Sequence, residues 1–217
     1  MREDRNRPRW DLVLFDLDGT LVDSLPWFLS ILPEVAARHR FRVPESDVER
    51  EALRAMGPRA VQAHLAVPRW RLPLIAREMR RRKSAAGALP LFPGVAPMLR
   101  TLHAAGVTLA LATSDAEANS RRSLGADAAL IRHWGCGASL FGKPRVLRRV
   151  LRAAGTAPAG AILIGDEVRD AEAARAVGVA FGAVTWGYGA AHALRAQAPA
   201  AVFERAEEIV PTLLGPR

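Results

Sequence analysis

Asp11-Leu-Val-Leu-Phe-Asp16-Leu-Asp18-Gly19-Thr20-Leu-Val-Asp23-Ser24 is the stretch on which the reading of this chain turns. A short apolar run, Leu12–Phe15, reads as a buried strand. It delivers Asp16 and Asp18 at its C-terminal end, where open α/β sheets bind ligands. Residues two apart on a strand share a side, so both carboxylates can face one site. Gly19 permits a tight turn and Thr20 can hydrogen-bond within it. Two neighbouring carboxylates repel unless they share a proton or a cation, so the pair suggests a hard metal such as Mg²⁺. The competing reading is a strand-ending turn with solvated aspartates.

Outward from this stretch, apolar runs alternate with amphipathic segments. Val107–Ala112, Ala161–Ile164 and Val179–Val184 read as three more buried strands. Val95–Ala105, Ala116–Leu124, Arg145–Ala154 and Val168–Val177 read as helices, each followed by or ending near a glycine (Gly106, Gly125, Gly155, Gly178). The alternation predicts an α/β fold: a Rossmann-like parallel sheet with helices on both faces. From Ser24 to about Leu89 the pattern is helical throughout. Trp27–His39, Asp47–Met56, Pro58–Ala66 and Trp70–Ser84 are expected helices there. This predicts a helical insert at 24–89, a cap after the first strand, with 1–23 and 90–217 forming the core.

Composition narrows the function classes. The chain has 217 residues, 50% of them hydrophobic, enough for a sizeable core. Cys136 is the single cysteine, which excludes an intrachain disulfide framework and a multi-cysteine zinc site. Val177–Leu194 lacks Asp, Glu, Lys and Arg, but its glycines suit a strand and loop better than a membrane span. A soluble, cytoplasmic protein without a membrane partner is expected. The formal charge is +9, and of 31 basic residues 29 are arginine. Arginine is spread along the chain rather than clustered, which favours a composition bias over a nucleic-acid partner.

That bias makes lysine informative. Lys143, in Phe141-Gly142-Lys143-Pro144, opens a helix and can bring a point charge to a phosphoryl group. Lys83 closes the run Arg80-Arg81-Arg82-Lys83 and reads as a solvated helix face. In Leu109-Ala-Leu-Ala-Thr113-Ser114-Asp115, a strand ends in a hydroxyl before a helix, an anion cradle or plain N-capping. In Ala161-Ile-Leu-Ile-Gly165-Asp166-Glu167-Val-Arg169-Asp170, a strand ends in carboxylates. Asp166 can complete a metal site with Asp16. Asp170, one turn on, can reach back toward Lys143 or bound water. Glu167 reads as an acidic helix start.

With these four elements in this order, the chain resembles the haloacid dehalogenase superfamily, and within it the Mg²⁺-dependent phosphatases of the phosphoglycolate phosphatase and β-phosphoglucomutase type. The resemblance implies a nucleophile at Asp16 and a general acid/base at Asp18. It implies Mg²⁺ held by the Asp16 carboxylate, the Asp18 backbone carbonyl and Asp166, with Asp170 positioning Lys143 or a metal-bound water. Thr113 and Lys143 would bind phosphoryl oxygens, with Ser114 beside them on the substrate. Arg54 and Arg59 flank a Met-Gly-Pro turn in the cap and are candidate substrate contacts, or two more of the 29 arginines. The partner implied is a small phosphorylated metabolite, and the assembly a monomer or homodimer. The Asp166-Glu167 order favours hydrolysis over the mutase reading, and the Val184–Gly189 loop also looks like the phosphoglycolate phosphatase-like group. A non-catalytic nucleic-acid or partner-binding protein is the remaining alternative, motivated by the charge.

Overall fold

The computed structural model describes residues 9–139 and 142–215; Phe141, in the lysine motif, lies outside them. Six strands form one parallel sheet: β1 (Leu12–Phe15), β2 (Thr108–Ala112), β3 (Ile131–Gly135), β4 (Ala161–Gly165), β5 (Ala180–Val184) and β6 (Ala201–Phe203). Their order across the sheet is β3-β2-β1-β4-β5-β6, so the strand order reverses at β1 and β4. That reversal is a topological switch point, where a crevice opens at the carboxyl ends of the strands.

Alternation along β1 explains both faces. Val13 and Phe15 join one core cluster, with Leu99 of helix α5 (Val95–Ala104), Leu124 of α6 (Glu117–Leu124) and Leu213 of α10 (Ile209–Leu214). Leu12 and Leu14 join the other, with Leu147 of α7 (Lys143–Ala154), Ala174 of α8 (Val168–Arg175) and Leu194 of α9 (Ala191–Arg195). The period of two thus sends each half of one strand into a different helix layer. All four glycines expected near helix ends, Gly106, Gly125, Gly155 and Gly178, have positive φ, as such positions require.

Between β1 and α5 stand four helices: α1 (Leu25–His39), α2 (Asp47–Arg54), α3 (Pro58–His64) and α4 (Leu72–Ala86). They match the expected helical segments within a few residues at each end. The segment Trp70–Ser84 divides, because Arg69–Arg71 forms a 3-10 turn before α4. Two strands escaped the reading of apolar runs, β3 and β6, and both are edge strands. β3 carries Arg132 and His133 with an exposed or half-buried middle, and β6 has three residues. An edge strand needs less apolar surface than a central one, so its signal is weak.

Leu14 is fully buried at the centre of this arrangement. Leu14→Ala is expected to cost about 2–5 kcal/mol, read as a fall in the free energy of chemical unfolding.

Candidate active site

Register alone gathers the site. Phe15 pairs with Leu111 on one side and with Ile164 on the other. Asp16, Thr113 and Asp166 therefore leave neighbouring strands at the same carboxyl edge. Asp16 is 2% exposed and Asp166 is fully buried, as is Asp170 in the first turn of α8. One carboxylate oxygen from each of Asp16, Asp166 and Asp170 lies within 4.8 Å of the others.

Lys143 holds this cluster together. Its Nζ lies 2.9 Å from Asp16 Oδ1 and also pairs with Asp170 Oδ1. Burial works against the ammonium, but Asp16 and Asp170 outweigh it and hold its pKa above the ordinary lysine value. Asp170 Oδ2 accepts from the Glu167 amide at 3.1 Å, closing a capping box at the start of α8. Asp166 accepts from Thr20 Oγ1 at 2.7 Å and from the Tyr188 amide at 2.8 Å. Gly19 makes the turn over it possible: φ is +82°, and a Cβ there would sit 2.2 Å from Asp166 Oδ2. Thr113 is buried and its Oγ1 accepts from the Asp115 amide at 3.1 Å, with Ser114 half-buried between them.

The fit to a divalent cation follows from charge and satisfaction. Three buried carboxylates and Glu167 face the Lys143 ammonium and the partly buried Arg169 guanidinium, which pairs with Glu167, and Asp16 Oδ2 is buried without a hydrogen-bond partner. Burial first, then Asp170, raises the Asp16 pKa from 3.8 to about 6 against the pull of Lys143. Asp166 is pushed up as well, by burial and then by Glu167, Asp16 and Asp170. Hard oxygen ligands with excess negative charge suit Mg²⁺.

The other residues singled out from sequence fall in distinct places. Asp18 is a quarter exposed, and its carboxylate points to Lys83 rather than joining the three-carboxylate cluster. Lys83 corrects the expectation of a solvated face: it is 3% exposed, 2.5 Å from Asp18 Oδ1 and 2.8 Å from Asp115 Oδ2. Four consecutive residues on a helix are spread over about 300°, so a charge run on α4 must send a member inward. Arg81 stays exposed, Arg82 pairs with Glu34 and Glu78, and Lys83 points at the core. Lysine's rarity was the available signal, since it applies to Lys83 as much as to Lys143. Arg54 donates to the carbonyls of Gly187, Tyr188 and Gly189, and ion-pairs with Glu51, so it ties α2 to the loop over Asp166. Arg59 is exposed near the start of α3. The loop Val184–Gly189 also belongs to the site, which its sequence alone does not show: Trp186 donates to the Thr20 carbonyl, and Tyr188 shares a hydrogen bond with Ser24.

Among the described residues, no helix is long and apolar enough to cross a membrane. The sequence profile of the haloacid dehalogenase-like hydrolases matches residues 13–184, and the chain belongs to that family. A phosphoglycolate phosphatase of Synechococcus elongatus is 31% identical over 204 residues, covering 91% of this chain and 94% of that protein. The tyrosine-protein kinase PtkA of Mycobacterium tuberculosis is 34% identical over 200 residues, covering 83% of this chain and 64% of that protein. A solved structure described as a predicted phosphatase from Clostridium acetobutylicum superimposes with a TM-score of 0.79 at 23% identity, covering 94% of this chain and 98% of that one. This last likeness speaks for the fold.

The raised Asp16 pKa has a sign that can be checked. Its native carboxyl holds a proton more tightly than the unfolded value of 3.8, so its contribution to stability falls as pH rises from about 4 through about 6. A bound cation competes with that proton. The rise in Tm on adding Mg²⁺ is therefore expected to be larger at about pH 7.5 than at about pH 5, and to vanish in Asp166→Asn. A Mg²⁺ shift independent of pH would contradict the assignment.

Proposed function

We propose that this protein is a Mg²⁺-dependent phosphatase that hydrolyses a small organic phosphomonoester through an aspartyl-phosphate on Asp16. The observation that carries this reading is the Asp16 carboxylate. It is buried at a strand end, beside Lys143, with one oxygen lacking a hydrogen-bond partner among three clustered carboxylates. The similarity to phosphoglycolate phosphatases supports it.

Asp16, Asp166 and the Asp18 backbone carbonyl would hold the cation, with Asp170 beside them. When bound, Mg²⁺ neutralises charge shared between the carboxylates and the phosphoryl oxygens. Asp16 attacks phosphorus as the ester P–O bond breaks, and Asp18 gives a proton to the leaving oxygen. Asp18, now a carboxylate, takes a proton from water as that water attacks phosphorus and releases Asp16. Thr113, Ser114 and Lys143 orient the phosphoryl oxygens; phosphoryl transfer is mainly positioning and charge neutralisation. Residues 24–89 act as a helical cap on the core of 1–23 and 90–217, excluding bulk water from the acyl phosphate. Arg54 would serve this cap from the loop carbonyls it holds, and Arg59 from the cap surface toward substrate. The setting proposed is cytoplasmic, with a small phosphorylated metabolite as partner and a monomer or homodimer as the assembly.

A phosphomutase shares this half of the chemistry and differs in the acceptor of the phosphoryl group, as would a protein kinase like the mycobacterial relative's name describes. Product analysis separates them. With Mg²⁺ and a panel of phosphorylated metabolites that includes phosphoglycolate, inorganic phosphate is expected as the product. Asp16→Asn is expected to lower its release by at least about a thousandfold. Isomerised hexose phosphate would favour the mutase, and phosphotyrosine on protein the kinase. No release from any ester would overturn the proposal.

A further inference from the structure

The chain contains two lysines, Lys83 and Lys143, among 31 basic residues. Both are buried, and each places its ammonium between two carboxylates. Lys143 bridges Asp16 and Asp170 from the core. Lys83 bridges Asp18 and Asp115 from α4, a helix of the 24–89 insert. A chain that writes arginine 29 times keeps the compact ammonium at the two places where one cation must fit between two carboxylates.

The approach of Lys83 is built, not incidental. Asn119 Nδ2 of α6 donates to the Arg80 carbonyl at 3.0 Å, and Arg122 donates to the Ser84 carbonyl at 3.1 Å. These bonds seat the C-terminal half of α4 on α6 through its backbone. Asp115 is fixed in turn: its Oδ1 accepts from the Ala116 amide at 2.7 Å and from Asn119 Nδ2 at 2.9 Å. The chain of contacts therefore runs from the start of α6 through Asp115 and Lys83 to Asp18. Exposure rises along it. The side chain of Asp18 is 25% exposed, that of Lys83 4% and that of Asp115 2%. Lys83 is the buried neighbour of Asp18, and of the three side chains Asp18 is the one that keeps solvent access.

We infer that Lys83 is a positioning residue, which delivers its ammonium from the helical insert to hold the Asp18 carboxylate as the base for the hydrolytic half-reaction. This rests on the phosphatase reading above. In that half-reaction the water oxygen bonds to phosphorus, the bond from phosphorus to Asp16 breaks, and the water proton passes to Asp18. The carboxylate must be in place when water attacks. The first half-reaction makes a lesser demand when the leaving group is a good one: p-nitrophenolate departs without a proton. Lys83 thus matters most after the phosphoryl group has moved to Asp16, and its seat on α4 makes that step depend on the insert lying against the core.

The test uses p-nitrophenyl phosphate and the full-length protein with Mg²⁺. In Lys83→Met, kcat is expected to fall about tenfold to a hundredfold, with a smaller fall in kcat/KM. A burst of p-nitrophenol should precede the steady state, and phosphoenzyme should accumulate above the wild-type level. Lys83→Gln, a polar chain of similar length, is expected to show the same split and serves if the methionine variant does not fold. A folded variant in which kcat and kcat/KM fall together, without burst or phosphoenzyme, would reduce Lys83 to a structural contact and overturn the inference. That result leaves the phosphatase reading standing. A wild type that releases no phosphate from any ester would instead remove the reading itself.

Discussion

Mutual repulsion among buried carboxylates is the constraint around which this molecule is arranged. Asp16, Asp166 and Asp170 are each almost or wholly inaccessible, yet one oxygen from each lies within 4.8 Å of the others. Burying one unpaired carboxylate is costly, and burying three together is tolerable only with compensation. The chain supplies part of it. Lys143 provides one positive charge and the partly buried Arg169 guanidinium, shared with Glu167, another; the Thr20 hydroxyl and Tyr188 amide provide hydrogen bonds to Asp166, and the Glu167 amide provides one to Asp170. The remainder is what a divalent cation and the oxygens of a phosphate ester would complete.

Several otherwise unrelated features serve that arrangement. The parallel register of β1, β2 and β4 sets the three strand ends side by side. Gly19 lets the turn after β1 pass over Asp166 where a Cβ would collide with its carboxylate. The loop after β5 folds back onto the same carboxylate through Tyr188, and it is gripped from α2 by Arg54. Lys83 repeats the logic of Lys143 on the second pair, Asp18 and Asp115. Two ammonium-bridged carboxylate pairs thus divide the site, one held from α7 and one from α4.

Much of this was legible in the residues. Leu12–Phe15, Ala161–Ile164 and Val179–Val184 read as strands because central parallel strands are apolar on both faces. The motifs at Asp16, Thr113, Lys143 and Asp166 read as one site because strand ends share an edge. What stayed hidden depended on three-dimensional neighbours. β3 carries Arg132 and His133 and lies at the sheet edge, so no continuous apolar run marks it. Lys83 follows three arginines, and only the helical phase of α4 and its seat on α6 show which member of the run turns inward. Arg54 is legible as a residue of the helical stretch after β1, but its hold on the carbonyls of 187–189 belongs to a pairing 133 to 135 residues away.

The central claim is that the buried cluster makes Asp16 an acceptor of phosphoryl groups. Its most direct test is mass spectrometry of the wild-type protein, quenched in acid during turnover of a phosphate ester with Mg²⁺ and digested. The expected result is one added phosphoryl group on the peptide containing Asp16, located to Asp16 by fragmentation and absent when Mg²⁺ is withheld. A label located to any other residue, or turnover with no label on Asp16 in wild-type protein or the Lys83 variants, would contradict it.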